Sequence, residues 1–247
     1  MMSLCRLIIP FLVCAVSLTA HAEHKTFTRK EGIFSVSDRI NAYFFNSKTH
    51  RLVVLDEGDM RKPKYGSLDQ AMKKSPCVAG INGSFFGANP EGSPLGIVIQ
   101  NGKKNFPLAT GSFTVSGILW DSGKSIFLQR SKAFASQKGA APREAIQGGP
   151  FLVENGKPVA GLNNTKSTYR TFVATDRRGN WCIAMTSPLT LAELASWLAT
   201  PGCLGQFSVK SALNLDGGSS SSFWCHETGV YFPSMKNVRN YLGVAPR

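Results

Sequence analysis

The sequence predicts an α+β domain with a central mixed or antiparallel β-sheet, a few flanking helices and glycine-rich loops that form one cleft. Short apolar segments alternate with glycine-rich turns, and predicted strands outnumber predicted helices. The 24 glycines often stand in pairs or beside Ser, Asn or Asp, which is typical of tight turns. With 247 residues, the chain is long enough for one domain with a sizeable core.

The first 22 residues have the pattern of a secretory signal peptide. Arg6 supplies positive charge, residues 7–18 are mostly apolar, and Ala20-His21-Ala22 offers small residues where a signal peptidase cuts. An uncleaved anchor is the alternative, but the stretch is short for a bilayer span of about 20 residues. We therefore expect one exported domain over residues 23–247, periplasmic or secreted, without stable membrane insertion after cleavage.

The predicted strands are short apolar runs bounded by turn residues. They cover residues 51–55, 96–99, 126–128, 171–174, 182–185 and 212–215. Three turns have the composition of hairpin loops, namely Asn101-Gly102, Asn155-Gly156 and Arg178-Gly179-Asn180.

Two helices are predicted to begin at capping boxes. Ser67 and Gln70 form the first box, and Pro76 ends that helix. Thr190 and Glu193 form the second, so we assign Glu193 to capping and not to catalysis. Apolar residues then follow at helical spacing, at Leu191, Leu194, Trp197 and Leu198.

Four cysteines remain after the signal segment, at Cys77, Cys182, Cys203 and Cys225. An even number in an exported chain indicates two disulfides, with three possible pairings. Cys182 and Cys203 flank a predicted helix and are the first choice for one bridge. Zinc binding is the less favoured alternative, because the sequence has no Cys-x-x-Cys pair.

The formal net charge is +13, and loss of Arg6 leaves about +12 on the mature chain. Such an excess favours anionic partners, here phosphorylated or anionic glycans or lipid headgroups, and we expect no nucleic-acid partner. The basic residues are dispersed, so general solubility is an equal interpretation.

The segment around Asp216 carries the clearest chemical signal. An apolar strand is followed by Asp216, Gly217, Gly218 and Ser219, and Asn214 points to the same face as Asp216. The glycines allow a ligand to approach the backbone, where N–H groups can converge beside the carboxylate. Such a group can serve acid–base or nucleophilic chemistry. The alternative is an ordinary Asp-Gly turn with solvated serines.

Two further glycine-rich corners contain candidate binding residues. In the first, aromatic residues could form a wall on which a sugar stacks, although a hairpin with buried phenylalanines is equally compatible. The second is followed by a strand. Their residues are Asn82, Gly83, Phe85 and Phe86 in the first corner and Gln147, Gly148 and Gly149 in the second.

Arg170 stands just before a predicted strand, and Arg239 lies near the end of the sequence. At either position a guanidinium could hold a phosphate in a bidentate way. The alternative for both is an ordinary surface arginine. No P-loop, Gly-x-Ser-x-Gly elbow or His-Glu-x-x-His motif is present, so we expect no cofactor and no metal. A Ser–His–Asp hydrolase using His226 has weak support.

Six motifs in this order resemble the phosphodiester glycosidase family, which includes the mammalian uncovering enzyme and exported bacterial proteins. They are Asn82 to Phe86, Gly148 to Val153, Arg170-Thr171, Glu193-Leu194-Ala195, Asn214 to Ser220, and Arg239. The chain departs from the family pattern at Ser84 and at Ser219, where glycine is usual, and it has Ala174-Thr175-Asp176 after the strand. We expect these changes to affect substrate preference more than fold.

The resemblance implies hydrolysis of the sugar C1–O bond in a sugar-1-phosphate diester. In this hypothesis Asp216 is the nucleophile or the base that activates water, and Asn82 and Asn214 hold sugar hydroxyls or orient the carboxylate. Arg170, Arg239 and backbone N–H groups at Gly148-Gly149 and Gly217-Gly218 neutralise the departing phosphate. Glu144 and Asp176 remain alternatives for a second acid–base group. The competing functions are a non-catalytic module that binds anionic glycans and a metal-dependent phosphodiesterase.

Overall fold

A computed structural model describes residues 22–31 and 34–247, which form three antiparallel sheets and three short α-helices. The predicted sheet-rich α+β class is confirmed in its antiparallel form, but three sheets replace the single central one. The predicted signal segment lies outside the described residues, apart from Ala22.

In chain order, the described strands are β1 (Glu23–Glu31), β2 (Phe34–Asn46), β3 (His50–Asp56), β4 (Ala79–Asn82), β5 (Val98–Gln100), β6 (Lys103–Phe106), β7 (Gly117–Asp121), β8 (Ile126–Arg130), β9 (Glu144–Gly148), β10 (Phe151–Glu154), β11 (Lys157–Pro158), β12 (Thr168–Thr175), β13 (Asn180–Leu189), β14 (Ser211–Asn214), β15 (Phe223–Cys225), β16 (Tyr231–Phe232) and β17 (Asn240–Pro246). The helices are α1 (Leu68–Lys73), α2 (Ser131–Ser136) and α3 (Leu191–Ala199), and single 3₁₀ turns occur at Phe113–Val115 and Gly218–Ser220.

The largest sheet has seven strands in the order β1-β2-β13-β12-β14-β10-β11. Because side chains alternate along a strand, Val173 faces the main core while Phe172 faces α3. Helix α3 covers that second face with Leu194 and Leu198. The register pairs Phe172 with Asn214, which brings the end of β14 beside the beginning of β12.

The second sheet has the order β16-β15-β4-β17-β3 and packs against the first. Ile81 and Val244 from this sheet share the main core with Val173 and Leu213 of the first. Helix α1 covers the opposite face, where Met72 is fully buried. A Cβ at Gly80 would collide with the Met72 sulfur, so glycine lets the helix approach this strand.

The third sheet, in the order β6-β5-β9-β7-β8, is joined to the second by two carboxylates. The Leu52 N–H donates to Asp121 Oδ2 and the Val54 N–H donates to Glu144 Oε2, each at 3.0 Å. Asp121 and Glu144 are paired across β7 and β9. Their side chains thus satisfy backbone donors on β3, the edge strand of the second sheet.

The local predictions agree well with the observed elements. Each of the six predicted strands overlaps an observed strand, and Asn101-Gly102 and Asn155-Gly156 turn with positive φ at both residues. The Thr190 and Glu193 capping box is complete, and Ser67 accepts the Gln70 N–H. Helix α2 escaped prediction because it begins without a side-chain cap hydrogen bond.

Cys77, Cys182, Cys203 and Cys225 are free thiols in this structure, so the two predicted disulfides are absent from it. Burial, and after it the presence of Cys203, raises the pKa of Cys182. Within residues 22–31 and 34–247, no helix is long and apolar enough to cross a membrane. The same residues contain no group of three His, Cys, Asp or Glu side chains placed to hold a metal ion.

Candidate active site

Asp216 lies where the first and second sheets meet. The Leu215 N–H still donates to the Thr171 carbonyl of β12 at 2.8 Å. One residue later, the Asp216 N–H donates to the Gly83 carbonyl, just after β4, at 3.2 Å. The chain therefore leaves β12 at Asp216, and its carboxyl group stands at a corner between the two sheets.

Asn82 holds this corner together. Its Oδ1 accepts the Thr171 hydroxyl at 2.8 Å and the Ser222 N–H at 3.0 Å. Its Nδ2 donates to the Asp216 carbonyl at 2.7 Å. Because Asn82 is fully buried and uses both amide atoms within the protein, it positions the Asp216 backbone, and this geometry does not direct it to a sugar.

The Asp216 carboxyl group has few internal partners. Its Oδ1 accepts the Gly217 N–H at 2.9 Å. The Ser220 hydroxyl is near, but it makes no aligned hydrogen bond. Burial raises the pKa of Asp216, while Ser220, the positive charge of Lys236 and the Gly217 N–H act in the opposite direction. The side chain is half-buried, so its carboxyl group retains capacity to meet a ligand.

Two glycines give the corner its shape. A Cβ at Gly217 would stand 2.8 Å from the Tyr169 carbonyl oxygen, which is too close for any other residue. Gly218 has a φ of +62°, in the left-handed region that favours glycine. Among the described residues, no acceptor bonds the N–H groups of Gly218 and Ser219, and Ser219 is exposed. These two groups can therefore donate to an anionic ligand.

Lys236 supplies the positive charge beside Asp216. The neighbouring Met235 N–H donates to the Ser219 carbonyl at 2.8 Å, which ties this loop to the glycine corner. Lys236 Nζ lies 4.8 Å from the centre of the Phe86 ring. Phe86, which is half-buried, is thus the residue of the predicted aromatic segment that lies at the site, where its ring makes a cation–π contact with the Lys236 ammonium group. Phe85 is also half-buried.

Asn214 and Gly149 hydrogen-bond to each other and so connect the end of β14 to the turn before β10. The Gly149 N–H donates to the Asn214 carbonyl at 2.8 Å, and Asn214 Nδ2 donates to the Gly149 carbonyl at 2.9 Å. The Gly149 N–H is therefore not free for phosphate, contrary to the prediction. Asn214 is only 3% exposed, and its Oδ1 is buried without a partner among the described residues. Gly148 packs tightly on Asn214 and Leu215.

Gln147 and Gly83 have structural positions that differ from their predicted binding roles. Gln147 Oε1 accepts the Ile97 N–H at 2.7 Å, and its Nε2 donates to Ser131 Oγ at 2.9 Å. The side chain is buried in the third sheet because residue 147 faces inward on β9. The Gly83 N–H donates to the Asn240 carbonyl at 2.8 Å and is also occupied.

Arg170 is next to the corner in the backbone, but its guanidinium is used elsewhere. Its Nε donates to the Leu189 carbonyl at 2.8 Å and its Nη2 to the Lys166 carbonyl at 2.6 Å. The register between β12 and β13 shifts here, and Arg170 satisfies carbonyl groups beside the bulge. Burial lowers its pKa. In this structure the guanidinium therefore has a structural role, and its contact with phosphate stays a prediction.

Arg239 is likewise committed to protein groups. Its Nε lies 2.8 Å from Asp56 Oδ1, its Nη2 lies 3.2 Å from Asp56 Oδ2, and its Nη1 donates to the Glu91 carbonyl. The pair is largely shielded from solvent, with side-chain exposures of 11% and 5%. This bidentate ion pair occupies the guanidinium in this structure, and the contact between Arg239 and phosphate stays a prediction.

Neither candidate for a second acid–base group lies at the corner. Glu144 is buried between the second and third sheets. Asp176 belongs to the β12–β13 turn, where it accepts the N–H groups of Arg178 and Asn180. Since Ser211 at the start of β14 pairs with Thr175, Asp176 lies at the opposite end of β14 from Asp216.

A cavity of about 550 Å³ lies beyond Gly149, between the loop at residues 110–116 and the start of α2. Ser116, Arg130 and Lys132 are among its lining residues, and Asp216 is not. A Cβ at Gly149 would collide with Phe113 and Ser116 on this side. The single cleft predicted from the glycine-rich loops is thus not observed as such.

Lys236, Thr171 and Ser222 were not predicted as site residues. Thr171 follows the arginine of a recognised motif, and the serine run directly follows Gly218, so both had a weak sequence signal. Lys236 lies in a polar loop with no distinguishing pattern. Its relevance depends on the hydrogen bond between Met235 and Ser219.

The comparisons with known proteins agree with this architecture. No protein of curated function matches the sequence. The fold is similar to the catalytic domain of zebrafish N-acetylglucosamine-1-phosphodiester alpha-N-acetylglucosaminidase, auto-inhibited by its pro-peptide, with a TM-score of 0.67 and 15% identity over 94% of this chain and 85% of that chain. A hypothetical protein from Synechocystis gives a TM-score of 0.57 and 15% identity, over 92% of this chain and 62% of that chain.

At these identities, the two solved structures establish a shared fold. A sequence profile described as phosphodiester glycosidase matches residues 75–245, which is well over half of the chain. This match includes Asn82, the Gly148 corner, Asp216 and Lys236. The chain belongs to the phosphodiester glycosidase family.

Proposed function

We propose that this protein is an exported hydrolase that cleaves the sugar C1–O bond of a sugar-1-phosphate diester. The observation that carries the proposal is the half-buried Asp216 carboxyl group, which stands beside Lys236 and the free N–H groups of Gly218 and Ser219. A carboxylate, a cation and backbone donors at one corner match the needs of an anionic substrate. Membership of the family supports the glycosidase assignment.

The leaving group determines what the protein must supply. Phosphate leaves from the sugar far more easily than an alcohol does, so strong general-acid help is less necessary than in ordinary glycoside hydrolysis. The bond between C1 and the phosphate oxygen breaks, and that oxygen leaves with the phosphomonoester. Lys236 and the N–H groups of Gly218 and Ser219 would stabilise the charge that develops there.

Asp216 would act on the other side of the reacting carbon. As a base, it would take a proton from the water whose oxygen bonds to C1; as a nucleophile, it would bond to C1 before water displaces it. Burial raises its pKa and makes the carboxylate a better proton acceptor. Asn82 keeps the Asp216 backbone in place through the hydrogen bond to its carbonyl group.

Hydrolysis in water labelled with heavy oxygen tests which bond breaks. An N-acetylglucosamine-1-phosphate diester is the first substrate to use, since the zebrafish enzyme with this fold is named for such a bond. We expect the label in the released sugar, and Asp216→Asn should remove turnover. Asp176→Asn is a matched control, because it changes a carboxyl group at the far end of β14. Label in the phosphate would instead indicate a phosphodiesterase.

A binding module for anionic glycans is the second candidate. It is favoured because Glu144 and Asp176, the two candidates for a second acid–base group, both lie away from Asp216. In that case the same diester would bind saturably to the wild-type protein without release of sugar. Binding that is unaffected by Asp216→Asn would strengthen this alternative.

A further inference from the structure

Several large apolar side chains are exposed in segments that are connected to the candidate site. Among the described residues, six large hydrophobic side chains are exposed, and four of them are connected to the Asp216 corner through the backbone. Met235 and Leu95 lie in segments that hydrogen-bond to Ser219 and Phe85, and Tyr231 and Phe232 form β16, which pairs with the strand after the serine run. We call these four the apolar rim: Leu95 (44% exposed), Tyr231 (38%), Phe232 (42%) and Met235 (76%). Of the other two, Phe127 stacks on Trp120 in the third sheet, at 4.2 Å between ring centres.

Short contacts connect the rim to the site. The Met235 N–H donates to the Ser219 carbonyl, and the next residue is Lys236, whose charge acts on Asp216. Lys236 lies over Phe86, and Phe86 forms a bridge to Pro94. The residue after Pro94 is Leu95, whose N–H donates to the Phe85 carbonyl at 2.9 Å. Met235 and Leu95 thus belong to the two segments that meet where Lys236 lies over Phe86.

The two most exposed members of the rim differ in chemistry from a sugar-binding wall, while Tyr231 and Phe232 carry aromatic rings. Those two members, Met235 and Leu95, have no ring on which a sugar can stack and no group that bonds a hydroxyl. A methionine side chain is flexible and polarisable, which suits it to an irregular hydrocarbon surface. Contiguous exposed apolar residues commonly mark sites that bind an apolar ligand.

The positions of charge and apolar surface define a ligand with two unlike parts. Lys236 fits an anionic group at Asp216, and the rim fits a hydrocarbon chain attached to it. We infer that the phosphate of the substrate is esterified to a lipid alcohol, so that the leaving group is a lipid phosphomonoester. This inference rests on the proposed function for the sugar side of the bond, and the rim itself can be tested without turnover.

Calorimetric titration with alkyl phosphates tests the rim directly. Dodecyl phosphate, kept below the concentration at which it forms micelles, should bind at least about 10-fold more tightly than methyl phosphate because the chain removes apolar surface from water. Met235→Ser should weaken dodecyl phosphate by about 3- to 10-fold and change methyl phosphate much less. Phe127→Ser, an exposed apolar residue away from the site, is the matched control and should change neither.

Four results would overturn the inference. The first two are equal affinity for both alkyl phosphates and equal losses of affinity for both in Met235→Ser. The third is tighter binding of glucose 6-phosphate than of methyl phosphate that depends on Phe232, and the fourth is a loss of the dodecyl preference in the Phe127→Ser control. The third result would mean that the rim binds a glycan, and the fourth would mean non-specific adsorption.

A kinetic arm separates this inference from the proposed function. Methyl and dodecyl diesters of one sugar 1-phosphate should both be hydrolysed, with a kcat/KM ratio that favours dodecyl and falls in Met235→Ser. Turnover without a chain-length preference contradicts the lipid inference and leaves the glycosidase function intact. Absence of turnover on both diesters contradicts the proposed function, while the alkyl phosphate titration still decides whether the rim binds a chain.

Discussion

Asp216 and Glu144 are both shielded carboxyl groups, and burial raises the pKa of each. Glu144 is 2% exposed, and its two oxygens accept the Val54 N–H at 3.0 Å and the Asn101 N–H at 3.1 Å. Asp216 is half-buried, with one aligned hydrogen bond and a neighbouring Lys236. A raised pKa therefore does not by itself identify a catalytic carboxylate, and the capacity left for a ligand separates the two regions.

The difference has a topological cause. Glu144 begins a paired strand between two sheets, where the unpaired N–H groups of β3 need acceptors. Asp216 follows a strand end, where the chain turns away from β12 and glycines keep the space open. The first carboxylate completes the hydrogen bonding of the fold, and the second retains capacity for a substrate.

Replacement of Asp216 should have the largest effect on activity of the variants that test this comparison. Asp216→Asn should reduce kcat/KM for a sugar-1-phosphate diester by at least about 1,000-fold, because the amide is neither a base nor a nucleophile. The amide oxygen can still accept the Gly217 N–H, so the free energy of unfolding should change by less than about 1 kcal/mol. Steady-state kinetics and urea unfolding measure the two quantities. Full turnover by this variant would remove Asp216 from the mechanism.

Glu144→Ala should reduce stability and leave activity nearly unchanged, the opposite of Asp216→Asn. The Val54 and Asn101 N–H groups would lose their acceptor, and the free energy of unfolding should fall by about 3 kcal/mol. Activity per folded molecule should stay within about twofold of wild type. Urea unfolding and kinetics at a temperature where the variant is folded test this. A Glu144→Ala variant that is stable but has no turnover would indicate that Glu144, and not Asp216, is the catalytic carboxylate.

The pH dependence of stability sharpens the assignment of Glu144. Its pKa in the folded protein is about 7, above the ordinary value of 4.5, so the folded state binds this proton more tightly. Protonated Glu144 contributes to the free energy of unfolding, and this contribution is complete below pH 4.5. It is lost as the pH rises to about 7, by at most about 3 kcal/mol. Unfolding at pH 5 and pH 8 measures the loss. Glu144→Gln cannot titrate and should lack this component, and an unchanged pH slope would disprove it.

Lys236→Met gives the smallest of these effects and tests the electrostatics of the Asp216 corner. We expect kcat/KM for the diester to fall by about 10- to 100-fold, because a cation near the phosphate is lost. Lys236 lowers the pKa of Asp216, so its removal should move the acid limb of the pH–rate profile to higher pH. Lys236→Arg should restore much of the rate. An acid limb at the same pH in all three proteins would contradict this placement.

Prediction from the sequence succeeded where local interactions decide structure. The Thr190 capping box depends on residues three apart, and the Asn101-Gly102 turn depends on two neighbours that tolerate positive φ. The position of Asp216 at a strand end also followed from the local pattern. The guanidinium partners of Arg170 and Arg239 could not be predicted, since each is decided by groups distant in the chain or by a register shift.

The sequence alone determined the strand and turn pattern, the capped helices, the family motifs and the carboxylate to examine. These properties depend on side-chain periodicity and backbone preference over a few residues. Only the tertiary structure decided that three sheets replace one, that both predicted arginines serve the fold, and that Lys236 stands beside Asp216. Long-range pairing controls these outcomes, because a buried polar group takes whichever partner the packed chain brings within reach.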